Sequence, residues 1–383
     1  MIKVATAAIG FAFFGCFLPF SSSRAEDGSG QLVTERFMLP AQFKNAEGSV
    51  VTINLDTLVI RPNDDLRHPL AILNHGTDSA NYKHIYAEHL RREVLEFARR
   101  GWVAVAFTRR GFGHSEGGYS EGLKGCEVSS YVQGGLAAAE DVREVIRLMG
   151  EKPYVDAAKV ISVGHSGGGY ATIALTANPP PGLVAGINFA GGNAYHDDAR
   201  RDCSEDGLAA AAATFGKTSR VPTLWVYSEN DRVIPESVGR RMYEGFTQAG
   251  GDAEFITGPA QDYDGHHLFT SRMGLATWTH YVDDFLDKHG LKLTVSLADI
   301  EDGVGVEFPS ALFSKGRSNL KVQDAYLDYL DGGDHKAFAV STRGGFGYSM
   351  GRASKEKAVE EATAICRGVN ATCTVISVDG EAP

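Results

Sequence analysis

The 383-residue sequence is poor in cysteine, tryptophan and proline, with 5, 3 and 13 of each. Sparse proline, beside 45 glycines in no fixed period, excludes a collagen-like or proline-rich chain. Positive charge is also short: 37 Lys and Arg face 48 Asp and Glu, a net −11. A net acidic surface repels a phosphate backbone, so nucleic acid is excluded as a partner and an anionic membrane is disfavoured. No CxxC pair occurs, which removes the usual zinc spacings. No residue pattern implies a metal or an organic cofactor. Past residue 20, no apolar run is long enough to span a bilayer. What is there, 43% hydrophobic and 22% charged residues, describes a folded globular chain. Its length allows one large domain and a smaller one.

The first 25 residues read as a removable address. Lys3 precedes an apolar run from Val4 to Phe20, and Ser23 and Ala25 fill the small-residue positions before a cut. Those are the three parts of a secretory signal peptide. The competing readings are a retained anchor, which Pro19 and a 17-residue run disfavour, and lipid attachment at Cys16. Cutting 25 of the 383 residues leaves 358, and losing Lys3 and Arg24 moves the net charge from −11 to −13. Cys126, Cys203, Cys366 and Cys373 remain. An even count in an exported, periplasmic or secreted protein reads as disulfides, and spacing favours Cys366–Cys373 with Cys126–Cys203 as the remainder.

From residue 30 to 290, short β-branched runs alternate with amphipathic helices. Val50–Val59 alternates as a half-buried strand does. His68–Leu73, Trp102–Phe107, Val160–Val163, Val184–Phe189 and Val221–Tyr227 are apolar throughout, as strands covered on both faces are. The expectation is an α/β chain with a mostly parallel sheet and an antiparallel pair at one edge. Residues 291–334 lose the rhythm and read as a connector with a short helix near Val322–Leu330. Residues 335–383 read as a small α+β domain stapled by Cys366–Cys373: strand Lys336–Ser341, a glycine-rich turn, helix Ser354–Arg367 and strand Thr372–Val378.

The chemistry sits at Gly164-His-Ser-Gly-Gly168, a G-x-S-x-G preceded by a strand and followed by a helical run. That setting raises a serine hydroxyl on a tight strand-to-helix turn, with the helix N-terminus favouring negative charge beside it. A serine at its free pKa needs a base, and the base needs an orienting acid. Asp231 lies in the loop leaving the strand Val221–Tyr227 and is preferred to Glu229. His266, directly after Gly265, is preferred to His267 as the base. The oxyanion needs two backbone N–H donors. These are assigned to Gly167, and to Thr77 rather than Gly76 in the turn Asn74-His75-Gly76-Thr77, with His75 structural.

Residues 35 to 290 resemble the α/β-hydrolase superfamily, in its dienelactone-hydrolase-like and prolyl-oligopeptidase-like branches. Asn74-His75-Gly76, Arg109-Arg-Gly-Phe-Gly-His-Ser115, Gly164–Gly168, Asp231 and Gly265-His266 carry the resemblance, in the order Ser, Asp, His. It departs from the dienelactone hydrolases in using serine rather than cysteine. The resemblance implies the α/β-hydrolase fold and a serine hydrolase acting on a small-molecule carboxylic ester. A serine peptidase or amidase with the same three residues is the nearest rival. A non-catalytic envelope-associated binding protein is the rival of another class. Weaker signals stay structural: Gly345-Phe-Gly347 as a β-turn, His196-Asp197-Asp198 as a solvated loop, and Tyr170 and Phe112 as core or acyl-pocket residues. Both Cys126 and Cys203 fall in loops at the serine's edge of the sheet, so their bridge would clamp the rim. Oligomeric state is not encoded in any of these patterns.

Overall fold

Alternation in the sequence becomes two cores in the structure. The computed structural model describes residues 23–26, 32–45, 47–77, 82–193, 203, 205–261, 264–293, 320–341, 345–367, 372–381 and 383. The apolar run 1–22, the segment His196-Asp197-Asp198 and residues 294–319 of the connector lie outside the described residues. Among those described, nine strands form one sheet: β1 (Ser23–Glu26), β2 (Leu32–Lys44), β3 (Val50–Pro62), β4 (His68–Asn74), β5 (Val103–Phe107), β6 (Val155–His165), β7 (Leu183–Phe189), β8 (Thr223–Ser228) and β9 (Ala253–Gly258). Their order is β1-β2-β3-β5-β4-β6-β7-β8-β9. The first four in that order pair antiparallel, and from β5 through β9 every pairing is parallel. The mostly parallel sheet and its antiparallel edge are as expected from the sequence. Strand β9 was not among the expected strands, because its residues are only half-buried and its apolar signal is weak.

Among the described residues, six helices cover the sheet: α1 (Arg91–Arg99), α2 (Val128–Gly150), α3 (Gly167–Thr176), α4 (Glu205–Gly216), α5 (Glu236–Gln248) and α6 (Arg272–Lys288). The period of two sorts each central strand between the two cores. Leu70 and Ile72 of β4 and Val103, Val105 and Phe107 of β5 join the side of α2 to α5. Ala71, Leu73, Ala104 and Ala106 face α1 and α6. The alanines on that face make room for Phe97 and Trp278, whose rings stack at 6.2 Å. No helix of the described residues is long and apolar enough to cross a membrane.

A second sheet, β11 (Phe346–Ser349), β10 (Ala337–Ser341) and β12 (Cys373–Val378) in that order, is antiparallel throughout. Helix α8 (Lys355–Arg367) packs on its alanine face, Ala337 and Ala339. Helix α7 (Leu320–Asp331), the short helix expected inside the connector, covers the opposite face with Val322, Tyr326 and Tyr329 against Phe338. One expectation is corrected here. Gly345-Phe-Gly347 is not a turn: Phe346 and Gly347 open β11. Gly347 is needed there because a Cβ would collide with the α8 backbone at Cys366 and Ala362.

The small unit docks on the large one through charged groups. Glu88 Oε1 accepts from Arg36 Nη2 at 2.6 Å and from the Gly333 amide at 2.9 Å. Arg92 pairs with Asp328 of α7. Arg352 lies 3.6 Å over the Tyr86 ring and pairs with Glu361, which faces His114 at 3.9 Å.

Candidate active site

Ser166 stands between β6 and α3 with φ 55° and ψ −123°. An L-residue reaches that conformation only when its surroundings enforce it. Here the Ser166 amide donates to Phe189 O at 2.9 Å, and its carbonyl accepts from Tyr170 N at 3.0 Å. The flanking glycines are steric necessities. A Cβ on Gly164 would collide with the Gly168 carbonyl, and one on Gly168 with the Asn74 carbonyl.

Asp231, in the loop after β8, accepts at Oδ1 from the amides of Val233 and Ile234, both at 2.8 Å. Its two oxygens lie 3.1 and 3.0 Å from His266 Nδ1. A carboxylate only accepts, so Nδ1 carries the proton and Nε2 the lone pair. Both groups are buried. Glu229, the other acid considered, is exposed, and His267 faces Thr270 Oγ1 at 3.4 Å.

Three contacts missing from the sequence reading hold His266 in place. Asp264 caps the short turn Gly265–His267, accepting from His266 N at 3.0 Å and from Arg232 N at 3.1 Å. Burial opposes its ionisation, but those two amides hold its carboxyl below the usual range. A Cβ on Gly265 would stand 2.6 Å from Ser228 Oγ and 2.7 Å from Asp231 N, so this turn lies directly on the Asp231 loop. His165, the variable residue of G-x-S-x-G, puts Nε2 2.7 Å from the His266 carbonyl, ring centroids 4.7 Å apart. Burial, then the neighbouring His266 and His267, push its imidazole well below the usual range. It is therefore neutral, and Nε2–H donates to the carbonyl. His266 is thus tied to the residue next to Ser166.

The turn carrying Thr77 approaches from β4. A Cβ built on Gly167 would stand 3.2 Å from Thr77 N and collide with Thr77 Oγ1. Gly167 and Thr77, the two residues expected to donate to an oxyanion, are therefore packed against each other. His75 is structural, as expected: Nε2 accepts from Arg109 N at 3.1 Å and Nδ1–H donates to Gly76 O at 2.6 Å. Burial, then the Arg109 charge, keep it neutral. Phe112 and Tyr170 are core residues: both are buried, and Tyr170 packs on Phe215 while its hydroxyl donates to Tyr131 O. Cys126 is bonded to Cys203, and Cys366 to Cys373. Among the described residues, no group of three or more His, Cys, Asp or Glu is arranged to hold a metal.

A protein-family model described as X-Pro dipeptidyl-peptidase (S15 family) matches residues 52–216, which span β3 through α4 and include the Ser166 turn. The chain has the α/β-hydrolase fold. No curated protein matches it. Among solved structures, an acetyl xylan esterase from Paenibacillus sp. R4 is 14% identical with a TM-score of 0.48, covering 70% of this chain and 88% of its own. A putative dienelactone hydrolase from Klebsiella pneumoniae is 14% identical at 0.44, covering 68% and 98%. Dipeptidyl peptidase 4 of Porphyromonas gingivalis is 15% identical at 0.46, covering 70% of this chain and 43% of that one. The sheet order and the strained serine turn are those of this fold.

Proposed function

We propose that the protein is an exported serine hydrolase that cleaves small carboxylic esters through a covalent acyl-enzyme. The observation that carries this is a strained Ser166 at the N-terminus of α3, whose neighbour His165 is hydrogen-bonded to the carbonyl of a buried His266, itself bonded through Nδ1 to Asp231. In the first half-reaction His266 Nε2 takes the Ser166 proton as Oγ bonds to the ester carbonyl carbon. The carbonyl electron pair moves onto oxygen, opposite the amides of Gly167 and Thr77. Collapse breaks the bond to the alcohol oxygen, which leaves with the proton from His266. Water then attacks the acyl-enzyme in the same way, releasing the acid and restoring Ser166. Asp231 keeps the imidazole in one tautomer and stabilises the imidazolium. This chemistry calls for no metal or organic cofactor.

Export rests on the charged start, apolar run and small-residue ending of residues 1–25, and two disulfides are compatible with it. A cut after Ala25 would fall inside β1, leaving β2 as the edge of the large sheet. N-terminal sequencing of protein from the periplasm or medium tests it: a start at Glu26 is expected, and retention of Met1 contradicts it. The domain division proposed is a signal at 1–25, a hydrolase at 30–290, a connector at 291–334 and a small domain at 335–383.

One observation favours a second reading. The matching family model describes a dipeptidyl-peptidase, and the same three residues would cleave an amide. Short-chain p-nitrophenyl esters and aminoacyl-prolyl p-nitroanilides separate the two. Faster ester turnover, lost in Ser166→Ala, supports the esterase; faster anilide turnover supports the peptidase. Neither turnover by folded protein would leave a binding protein.

A further inference from the structure

The RRGFGHS segment supplies a group the mechanism above does not use. The Arg109 side chain is wholly buried, so it does not reach out to a substrate carboxylate. Its donors are spent on one short stretch of chain. Nη1 donates to His75 O at 2.8 Å, Nη2 to Thr77 Oγ1 at 3.2 Å, and its own backbone amide to His75 Nε2 at 3.1 Å. Glu121, also buried, completes the fork: its Oε1 accepts from Nε and its Oε2 from Nη2 at 3.1 Å. Glu121 Oε2 also accepts from Thr77 Oγ1 at 3.3 Å.

Residues 75–77 lie beyond the end of β4 and belong to no helix or strand, so no ladder of backbone bonds fixes them. Yet the Thr77 amide has to be held to a fraction of an ångström to meet a developing oxyanion. A buried ion pair contributes little net stability, but a planar guanidinium bonded on three edges is rigid. Placing that fork under a loop suits positioning better than stability.

We propose that Arg109 and Glu121 are positioning residues that aim the Thr77 N–H at the substrate's carbonyl oxygen, acting through the Thr77 hydroxyl and the His75 carbonyl. The proposal rests on the serine hydrolase reading of Ser166. Thr77→Val keeps the backbone amide and the side-chain volume but removes the hydroxyl that Arg109 and Glu121 grip. Its kcat on p-nitrophenyl acetate falls about 100-fold, as expected for a donor misplaced by about 1 Å, while KM stays within about threefold. Thr77→Ser, which restores the hydroxyl, recovers kcat to within about threefold of wild type. Glu121→Gln and Arg109→Lys lower kcat in the same sense. The rate of inactivation by a fluorophosphonate, whose transition state uses the same donors, falls in parallel.

A purely structural role would instead lower the melting temperature and leave kcat of the folded fraction unchanged. Thr77→Val and Glu121→Gln both turning over within about threefold of wild type would overturn the proposal. So would a loss confined to KM. A wild type that neither hydrolyses the ester nor reacts with the fluorophosphonate at Ser166 would sink the serine hydrolase reading and the proposal together. Wild-type activity lost only in Ser166→Ala, with Thr77→Val unaffected, sinks the proposal alone.

Discussion

Replacing both Cys126 and Cys203 by serine separates two roles that the structure combines in one bond. The bridge joins residues 77 apart, whereas Cys366–Cys373 spans 7. In the chain-entropy account a cross-link stabilises by restricting the unfolded chain, and the effect grows with the logarithm of the loop. Those spans correspond to about 4.5 and about 2.4 kcal/mol, so the first bridge contributes roughly twice the second. Trp102, Trp225 and Trp278 are all buried in the large unit, so their fluorescence in urea follows that unit alone. The midpoint of Cys126→Ser/Cys203→Ser should fall clearly, and wild type treated with reductant should match it. Cys366→Ser/Cys373→Ser should move the same transition much less. Glu121 lies five residues before Cys126, so loosening that segment should also lower esterase kcat in the folded protein. A tryptophan transition unmoved by the first double substitution would refute the reasoning. So would a larger shift from the second.

Other expectations follow from single groups. Asp231→Asn keeps the shape of the carboxylate but favours the wrong imidazole tautomer, and should lower kcat by about 10,000-fold with little change in melting temperature. Gly164→Ala drives a Cβ into the Gly168 carbonyl and should cost about 3 kcal/mol or more, read as a lost or strongly shifted unfolding transition. Acid should loosen the docked small unit. His89 meets Tyr348 of β11 with ring centroids 5.5 Å apart; burial, then the Arg352 charge, hold its imidazole down at about 4, while an undocked histidine takes its proton near 6.5. The undocked state therefore binds more protons, so docking is full above pH 6.5 and weakens as pH falls towards about 4. Glu361, which burial would raise, is held at about 2 by His114 and Arg352. Its contribution is present above pH 4.5 and is lost as pH falls through about 2. Protection factors of the β10 and β12 amides, corrected for the slower intrinsic exchange in acid, should fall between pH 7 and pH 5; unchanged protection factors would contradict this.

Much of the fold was legible because its signals are local. The buried runs at 68–73, 102–107, 160–163, 184–189 and 221–227 needed only a period count, and all became central strands. The G-x-S-x-G turn was legible because its glycines answer to sterics within a few residues. Asp231 and His266 were readable from position, as a loop acid after a strand and a histidine after a glycine. What escaped depends on contacts distant in sequence. Glu121 is one acid in a polar loop, and only the fold reveals that it faces Arg109. Docking of the small unit rests on single charges such as Glu88, which no periodicity marks. Helix α7 looked like part of a connector because its apolar face needs a sheet 6 residues further on to cover it. Gly345-Phe-Gly347 looked like a turn because glycine usually marks one; here it marks the close approach of α8.

The central claim is that Ser166 is an activated nucleophile. Reaction of the folded protein with a fluorophosphonate, followed by peptide mass spectrometry, tests it most directly. One label per chain on the peptide containing Ser166 is predicted, absent in Ser166→Ala and greatly slowed in His266→Ala. Folded wild type that stays unlabelled, or carries the label on another residue, would contradict the account.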